Sequence, residues 1–174
     1  MNFLELSKQR KSVRKYTEQD IPQETVTKML EAMIAAPSAG NCQPWHIYVI
    51  RNKEIQQKMC DVSWNQKFIV TAPVCIVVCI EYARTISRYG ERGRDLYSIQ
   101  DTAAAIQNML LFAEDVGLGA CWIGAFDEKV VGEILALPEG RRAIGIIPVG
   151  YPDGTSGRTS RRPIEEVCTF INEN

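Results

Sequence analysis

The sequence predicts a layered domain of helices packed on a β-sheet, α+β or α/β in class, and three observations predict it. Segments of helical period alternate with short β-rich apolar runs. One run, residues 74–80, is apolar almost throughout, as a central strand covered on both faces must be. Helical material closes both ends of the chain. A length of 174 residues suits a single domain, 1–174, large enough to bury a core without staples.

Residues 3–10 read as a short helix carrying Phe3, Leu4 and Leu6. Pro22 opens a second helix, in which Val26, Met29, Leu30, Met33 and Ile34 follow the spacing of one buried face. Pro37 and Gly40 end it, and residues 36–44 form a loop by composition. Residues 46–51 read as a strand, 53–60 as a helix and 74–80 as the central strand. Residues 84–94, RTISRYGERGR, read as a charged connector with two glycines and no clear period. A connector of that kind is often mobile or functional.

The longest helix is expected over 95–116. Leu96, Ile99, Ala103, Ile106, Leu110 and Ala113 recur at helical spacing, and Gly117 stands where a C-cap glycine belongs. A short strand at 120–123 follows, then a helix at 127–135 with Asp127 as its N-cap. Residues 143–149 form the last strong strand. The tail from Tyr151 is rich in Gly, Ser and Arg and turns apolar again over 163–171.

Bulk properties narrow the function. A net charge of −1 supplies no basic field for nucleic acid or an anionic membrane. The N-terminus lacks the central apolar run of a secretory signal, and no stretch approaches the length that crosses a bilayer, so a cytoplasmic location is the default expectation. The cysteines are Cys42, Cys60, Cys75, Cys79, Cys121 and Cys168. Cys75 and Cys79 would share a strand face about 13 Å apart, too far for a disulfide. With no C-x-x-C pair, most read as small buried hydrophobes.

Familiar catalytic motifs are missing. The glycines of GLGACWIG (Gly117, Gly119, Gly124) break the G-x-G-x-x-G spacing at Trp122. They also enter a strand from a helix, the reverse of a dinucleotide fingerprint. Walker A and G-x-S-x-G sequences are absent. The single histidine, His46, opens a predicted strand, where a structural role is favoured over a general base. Metal, hydrolase and phosphoryl-transfer chemistries therefore lack parts.

Three polar segments remain. Arg10–Lys11–Ser12–Val13–Arg14 places two guanidiniums, an ammonium and a hydroxyl within five residues, a group able to hold a phosphate. PSAGNCQPW (37–45) sets Ser38, Asn41 and Gln43 on a stiff loop that could edge a planar heterocycle. RTSRRP (158–163) again suits phosphate. Taken singly, these read as a solvated basic turn, an ordinary helix-to-strand turn and a basic tail.

Taken in order, they resemble the nitroreductase family of FMN enzymes over nearly the whole chain. The resemblance runs through RKSVRKY, APSAGNCQPWHIYVI, TAPVCIVV, QDTAAAIQNMLLFAEDVGLGACWIG, IGIIPVGYP and RRPIEEV. It implies an α/β/α layered α+β fold, with a mixed central sheet flanked by helices, and a homodimer holding FMN at its interface. By the same resemblance, Arg10, Lys11, Ser12 and Arg14 would hold the phosphate, ribityl and pyrimidine side of FMN. Pro37, Ser38, Ala39, Asn41 and Gln43 would belong to the loop along the ring, contributed by the partner chain. Ile123 and Gly124 would present backbone groups near the reactive edge, and Arg161, with Arg162, would reach the phosphate.

Asn65 stands where some relatives have a flavin-contacting Asn. The lysine that follows it there is Phe68 here, with Lys67 next door. The phosphate-side lysine before Arg161 is Thr159, for which Arg158 could substitute. The flavin would carry the chemistry, so no acid–base triad and no metal is needed. Arg14 is the best cation for the anionic side of the reduced ring.

The resemblance further implies a ping-pong reductase taking electrons from NADH or NADPH and passing them to a small-molecule acceptor, a nitroaromatic, quinone or related compound. Substrate choice would fall to the 84–97 connector, with Tyr89, Arg92 and Tyr97, and to Trp122 and Phe126. Alternatives are an FMN-binding or sensor module without turnover, and a dehalogenating or flavin-fragmenting relative, whose longer lid the short Arg-rich connector does not match. A structural protein without cofactor leaves the three polar segments unexplained.

Overall fold

The computed structural model describes residues 2–171. Among the described residues, seven α-helices and four strands follow one another as α1 (Phe3–Gln9), α2 (Gln23–Ile34), β1 (Trp45–Ile50), α3 (Lys53–Asp61), α4 (Phe68–Thr71), β2 (Val74–Glu81), α5 (Ala83–Arg92), α6 (Ser98–Asp115), β3 (Gly119–Ala120), α7 (Glu128–Ile134) and β4 (Arg141–Gly150). The fold is α+β and layered. Its sheet runs in the order β1-β2-β4-β3, and each neighbouring pair of these strands is antiparallel. A parallel pairing enters where the N-terminal segment meets the edge of the sheet, at the Ser12–Ala120 bridge.

β2 explains its own composition. Its side chains alternate between two cores. Val74, Ile76 and Val78 face Met29 and Met33 of α2 and Ile106 and Met109 of α6. Cys75, Val77 and Cys79 face Met59, Ile69 and Val131 on the α3, α4 and α7 side. Both faces are covered, so the run shows no polar alternation. Burial pushes the Cys75 and Cys79 thiols up to about 12, which leaves them inert as nucleophiles. All six cysteines are free thiols.

Several boundaries follow local chemistry. Asp127 caps α7 by accepting from the backbone N–H of Lys129 and Val130, and Asn2 closes a capping box with Glu5 on α1. Gly117 takes φ 76° after α6, and the Leu118 N–H returns to Ala113 O at 2.8 Å. The expected strand at 120–123 is discontinuous. Gly119–Ala120 pair with β4, and Ile123 makes a separate bridge to Ile146.

The largest departure is the connector. Residues 83–92 form α5, and a π-helical turn, Gly93–Tyr97, joins it to α6, which therefore begins at Ser98 rather than at 95. Gly90 (φ 55°, ψ −138°) breaks the helix between its two halves, a conformation open mainly to glycine. α5 buries Thr85 alone, so no apolar stripe marks it in the sequence. The tail beyond Tyr151 carries one 3-10 turn, Ile164–Glu166, and leaves Ile164, Val167, Phe170 and Ile171 exposed. Among the described residues no helix is long and apolar enough to cross a membrane.

Candidate functional site

The first basic segment owes its shape to the end of α1. Arg10 leaves the helical region (ψ 129°), and the chain then runs extended beside β3, with the Val13 N–H donating to Ala120 O at 3.0 Å. Alternation along extended backbone turns Val13 inward, where it is 1% exposed, and Ser12 and Arg14 to the other side. Two further contacts fix Val13. A Cβ on Gly119 would lie 2.6 Å from the Val13 side chain, so only glycine permits this approach. The buried Tyr16 hydroxyl donates to Val13 O at 2.6 Å and lies 3.1 Å from Pro148 O.

The C-terminal segment folds back over this ledge. Arg10, Lys11, Ser12 and Arg14 on one side, and Gly157, Arg158, Thr159 and Arg161 on the other, enclose a cavity of about 160 Å³. The first and third polar segments, nearly 150 residues apart in sequence, thus meet. Five of the lining side chains are cationic and none is a carboxylate. Such a cluster repels itself unless an anion joins it, and its volume and donors suit a phosphate group.

Arg161 donates to Thr159 O and Oγ1 and to Ser160 O, at 3.1–3.2 Å. Arg158 lines the cavity as well. Arg162 does not take part; it pairs with Glu166 outside the cavity. The Arg14 guanidinium stands 6.0 Å from the Phe68 ring centroid, so the position that is Lys in some relatives supplies an aromatic face here. Cys121 lies beneath. Burial raises its thiol, while Arg14 and Ser12 beside it oppose the rise.

The loop of the second segment is held from within and from outside. Gly40, Asn41 and Gln43 all have φ near +50° to +56°. The Ser38 Oγ accepts from the Gln43 N–H at 3.0 Å, and the Gln43 side-chain amide donates to Asn41 Oδ1 at 3.1 Å. Ser38 and Gln43 therefore shape the loop. From outside, Arg84 Nε donates to Cys42 O at 2.8 Å, Arg88 Nη1 donates to Gly40 O at 3.0 Å, and both oxygens of Asp101 accept from the Ala39 N–H at 3.1 Å. These three residues escaped the sequence reading, because an Arg on a charged connector and an Asp in a helix look like solvated charges. Pro37, Ser38 and Ala39 border a shallow depression with Tyr97, Gln100 and Asp101. It is separate from the basic cavity of the same chain.

Asp101 gives a pH signature. It is 8% exposed, and burial raises its carboxyl above the usual Asp range, with the Ala39 amide opposing. The folded state then holds this proton to higher pH than the unfolded chain, whose Asp titrates near about 3.9. The stabilising contribution is complete below that value and is lost as pH rises through the raised folded value. Asp101→Asn keeps an acceptor for the Ala39 N–H and removes the charge. Its melting temperature is expected to gain on the wild type as pH rises from about 4 to neutrality. A variant that instead loses ground over that range would show that the ionised carboxylate is favoured in the fold.

Other candidates are placed as follows. Asn65 and its neighbour Trp64 are both left-handed (φ 62° and 56°), and the Asn65 N–H donates to Cys60 O at 3.0 Å. Ile123 is buried at the bridge to Ile146, and Gly124 is exposed with open space around it. Trp122, 38% exposed, lies against Gly145. Phe126, expected among the substrate contacts, is 7% exposed and packs in the core with Cys60 and Val131. The rings of Tyr89 and Tyr97 meet edge to face at 5.1 Å. His46 packs on Tyr48, and burial together with Arg141 lowers its pKa, which keeps it neutral. Among the described residues no group of three His, Cys, Asp or Glu side chains could hold a metal ion.

Comparison with known proteins gives a consistent picture. The sequence matches the Nitroreductase family over residues 7–69 and 60–151. It is 35% identical over 161 residues to a candidate NADH dehydrogenase/NAD(P)H nitroreductase of Methanothermobacter thermautotrophicus, covering 90% of this chain and 81% of that one. The structure superposes with a TM-score of 0.89 on a nitroreductase family protein of Streptococcus pneumoniae, 25% identical, covering 98% of this chain and 100% of that one. It superposes equally, at 0.89, on the NADPH:FMN oxidoreductase of Vibrio harveyi complexed with NAD+, 26% identical, covering 98% and 77%.

Proposed function

The chain belongs to the nitroreductase family, and from this premise we propose that it is an FMN-dependent oxidoreductase, a homodimer that takes electrons from NADH or NADPH and delivers them to a small-molecule acceptor such as a nitroaromatic or a quinone. The observation that carries the reading is the basic cavity. Two segments far apart in sequence converge five cations and no carboxylate on a space sized for the phosphate of a mononucleotide.

FMN, when bound, supplies the electron-transfer chemistry, and the residues of the chain hold and surround it. Arg10, Lys11, Ser12, Arg158 and Arg161 bind the phosphate end through charge-assisted hydrogen bonds. Arg14, steadied on Phe68, offers a cation toward the pyrimidine side of the ring. Ile123 and Gly124 present backbone groups, and the open space around Gly124 leaves room for a planar ligand. Asn65 stands in a left-handed turn beside Trp64.

A cavity of about 160 Å³ holds a phosphate but not a tricyclic ring. Pro37, Ser38 and Ala39 of the loop that also carries Asn41 border a different depression. Both facts support a site completed by a second copy, whose loop edges the ring. The exposed Phe3 and Leu4 of α1 and the exposed apolar side chains of the tail supply surface for that contact. Trp122 is the side chain best placed to meet an acceptor.

Purified protein mixed anaerobically with FMN and NADH or NADPH is expected to bleach in the flavin band, to recover its colour on addition of a quinone or nitroaromatic, and to elute as a dimer. Bound FMN that neither nucleotide bleaches would replace this reading with a binding module. Failure to bind FMN would overturn it.

A further inference from the structure

We propose that Arg84, Arg88 and Arg92 form the anion-recognition site for the electron donor and select the 2′-phosphorylated dinucleotide, NADPH, over NADH; the inference rests on the oxidoreductase reading above. The twelve arginines of the chain fall into three groups. Arg51, Arg94, Arg141, Arg142 and Arg162 each pair with a carboxylate. Arg10, Arg14, Arg158 and Arg161 line the phosphate cavity. The remaining three lie on α5, exposed, and among the described residues none has a carboxylate partner.

Their guanidiniums are nevertheless oriented. Arg84 and Arg88 stand one helical turn apart, about 6 Å along the axis, and each spends one N–H on a carbonyl of the 40–42 loop. Arg92 lies beyond the break at Gly90 and is steered by Tyr97. Its Nε donates to the Tyr97 hydroxyl at 2.8 Å, and its guanidinium stands 5.2 Å from that ring. A guanidinium carries five N–H donors. One anchoring bond each fixes direction and leaves most donors free, so an arriving anion meets groups already ordered.

Location and charge set the ligand. Arg84 and Arg88 clasp the loop that, in the proposed dimer, edges the flavin. A donor whose nicotinamide lies on the ring would lay its anionic end along α5. Three cations exceed what the bridging diphosphate of NADH neutralises, and a phosphomonoester adds about −1.5 to −2 at neutral pH. The Tyr89–Tyr97 ring pair joins the arginines into one cluster, with the Arg88 guanidinium 5.5 Å from the Tyr89 ring and that of Arg92 5.2 Å from the Tyr97 ring.

The test uses the FMN-loaded enzyme. Flavin reduction is followed with NADPH, NADH and the uncharged 1-benzyl-1,4-dihydronicotinamide, and calorimetry measures binding of adenosine 2′,5′-bisphosphate and 5′-AMP. The wild type is expected to favour NADPH over NADH, and the bisphosphate over 5′-AMP, by roughly tenfold or more, the loss that one charge-assisted hydrogen bond carries. In Arg92→Gln and in Arg88→Gln/Arg92→Gln the NADPH rate at low concentration should fall at least about tenfold further than the neutral-donor rate, with Arg92→Lys between. Equal use of both nucleotides with no preference for the bisphosphate would overturn the proposal. So would variants that lose the neutral donor as much as NADPH, because the arginines would then serve only to hold the loop. Flavin that none of the three donors reduces would instead sink the oxidoreductase reading, while the calorimetry still decides the anion site.

Discussion

Arg14→Glu is expected to give a colourless protein whose affinity for FMN is at least ~100-fold below that of the wild type, about 2.7 kcal/mol. Two effects add. The guanidinium's charge-assisted bond toward the pyrimidine side of the ring is lost, which costs about 1.5–3 kcal/mol, and the new carboxylate stands at the edge of the cavity that holds the phosphate anion. The fold should survive the change. Arg10, Lys11, Arg158 and Arg161 line the same space, and a carboxylate among four cations relieves their mutual repulsion. The apo variant should therefore melt no lower than apo wild type. Titration of FMN against each apo protein, read by quenching of flavin fluorescence, measures the effect, with Arg14→Lys falling between. Affinity within about threefold of wild type would remove Arg14 from the cofactor site.

Ile147→Ala should act on the opposite side of the problem, lowering stability by about 2–5 kcal/mol while leaving the cofactor's contacts in place. Ile147 is fully buried in β4 opposite Ile76 and belongs to the core that α2 and α6 close over the sheet. Helices cover that face, so the void left by three carbons has little room to collapse. At this chain length the melting temperature should drop by roughly 5–15 °C. Saturating FMN binds only the folded state and should restore part of the loss, about 2.7 kcal/mol at a hundred times Kd. At the same FMN concentration Arg14→Glu, binding about 100-fold more weakly, should gain no more than about 0.4 kcal/mol. A loss below about 1 kcal/mol in Ile147→Ala would show that the core repacks around the missing atoms.

What was legible in the sequence was local. Period 3.6 in α2 and α6, the apolar run of β2, Asp127 as an N-cap and Gly117 as a C-cap are each decided within a few residues, by backbone conformation and by which face needs covering. The three polar segments were legible for the same reason, since basic and amide side chains announce themselves by type. Their order along the chain carried the family resemblance. α5 was not legible, because it buries Thr85 alone and shows no apolar stripe, and the bonds of Arg84 and Arg88 to loop carbonyls join residues far apart in sequence. The burial of Phe126 was not legible either. Proximity to Trp122 in sequence says nothing about which of two neighbours turns into the core.

Sequence by itself determined the layered fold, the family and the chemical kind of ligand, because side-chain type and hydrophobic period are properties of short stretches. Only the tertiary structure decided which charges work together. Arg10 and Arg161 share one cavity, Arg162 turns away to Glu166, Asp101 holds the Ala39 amide, and three arginines of α5 are left without carboxylates. Each of those outcomes depends on how chain segments far apart in sequence meet in space, and Coulombic and hydrogen-bonding energies depend on distance in space, which spacing along the chain does not specify.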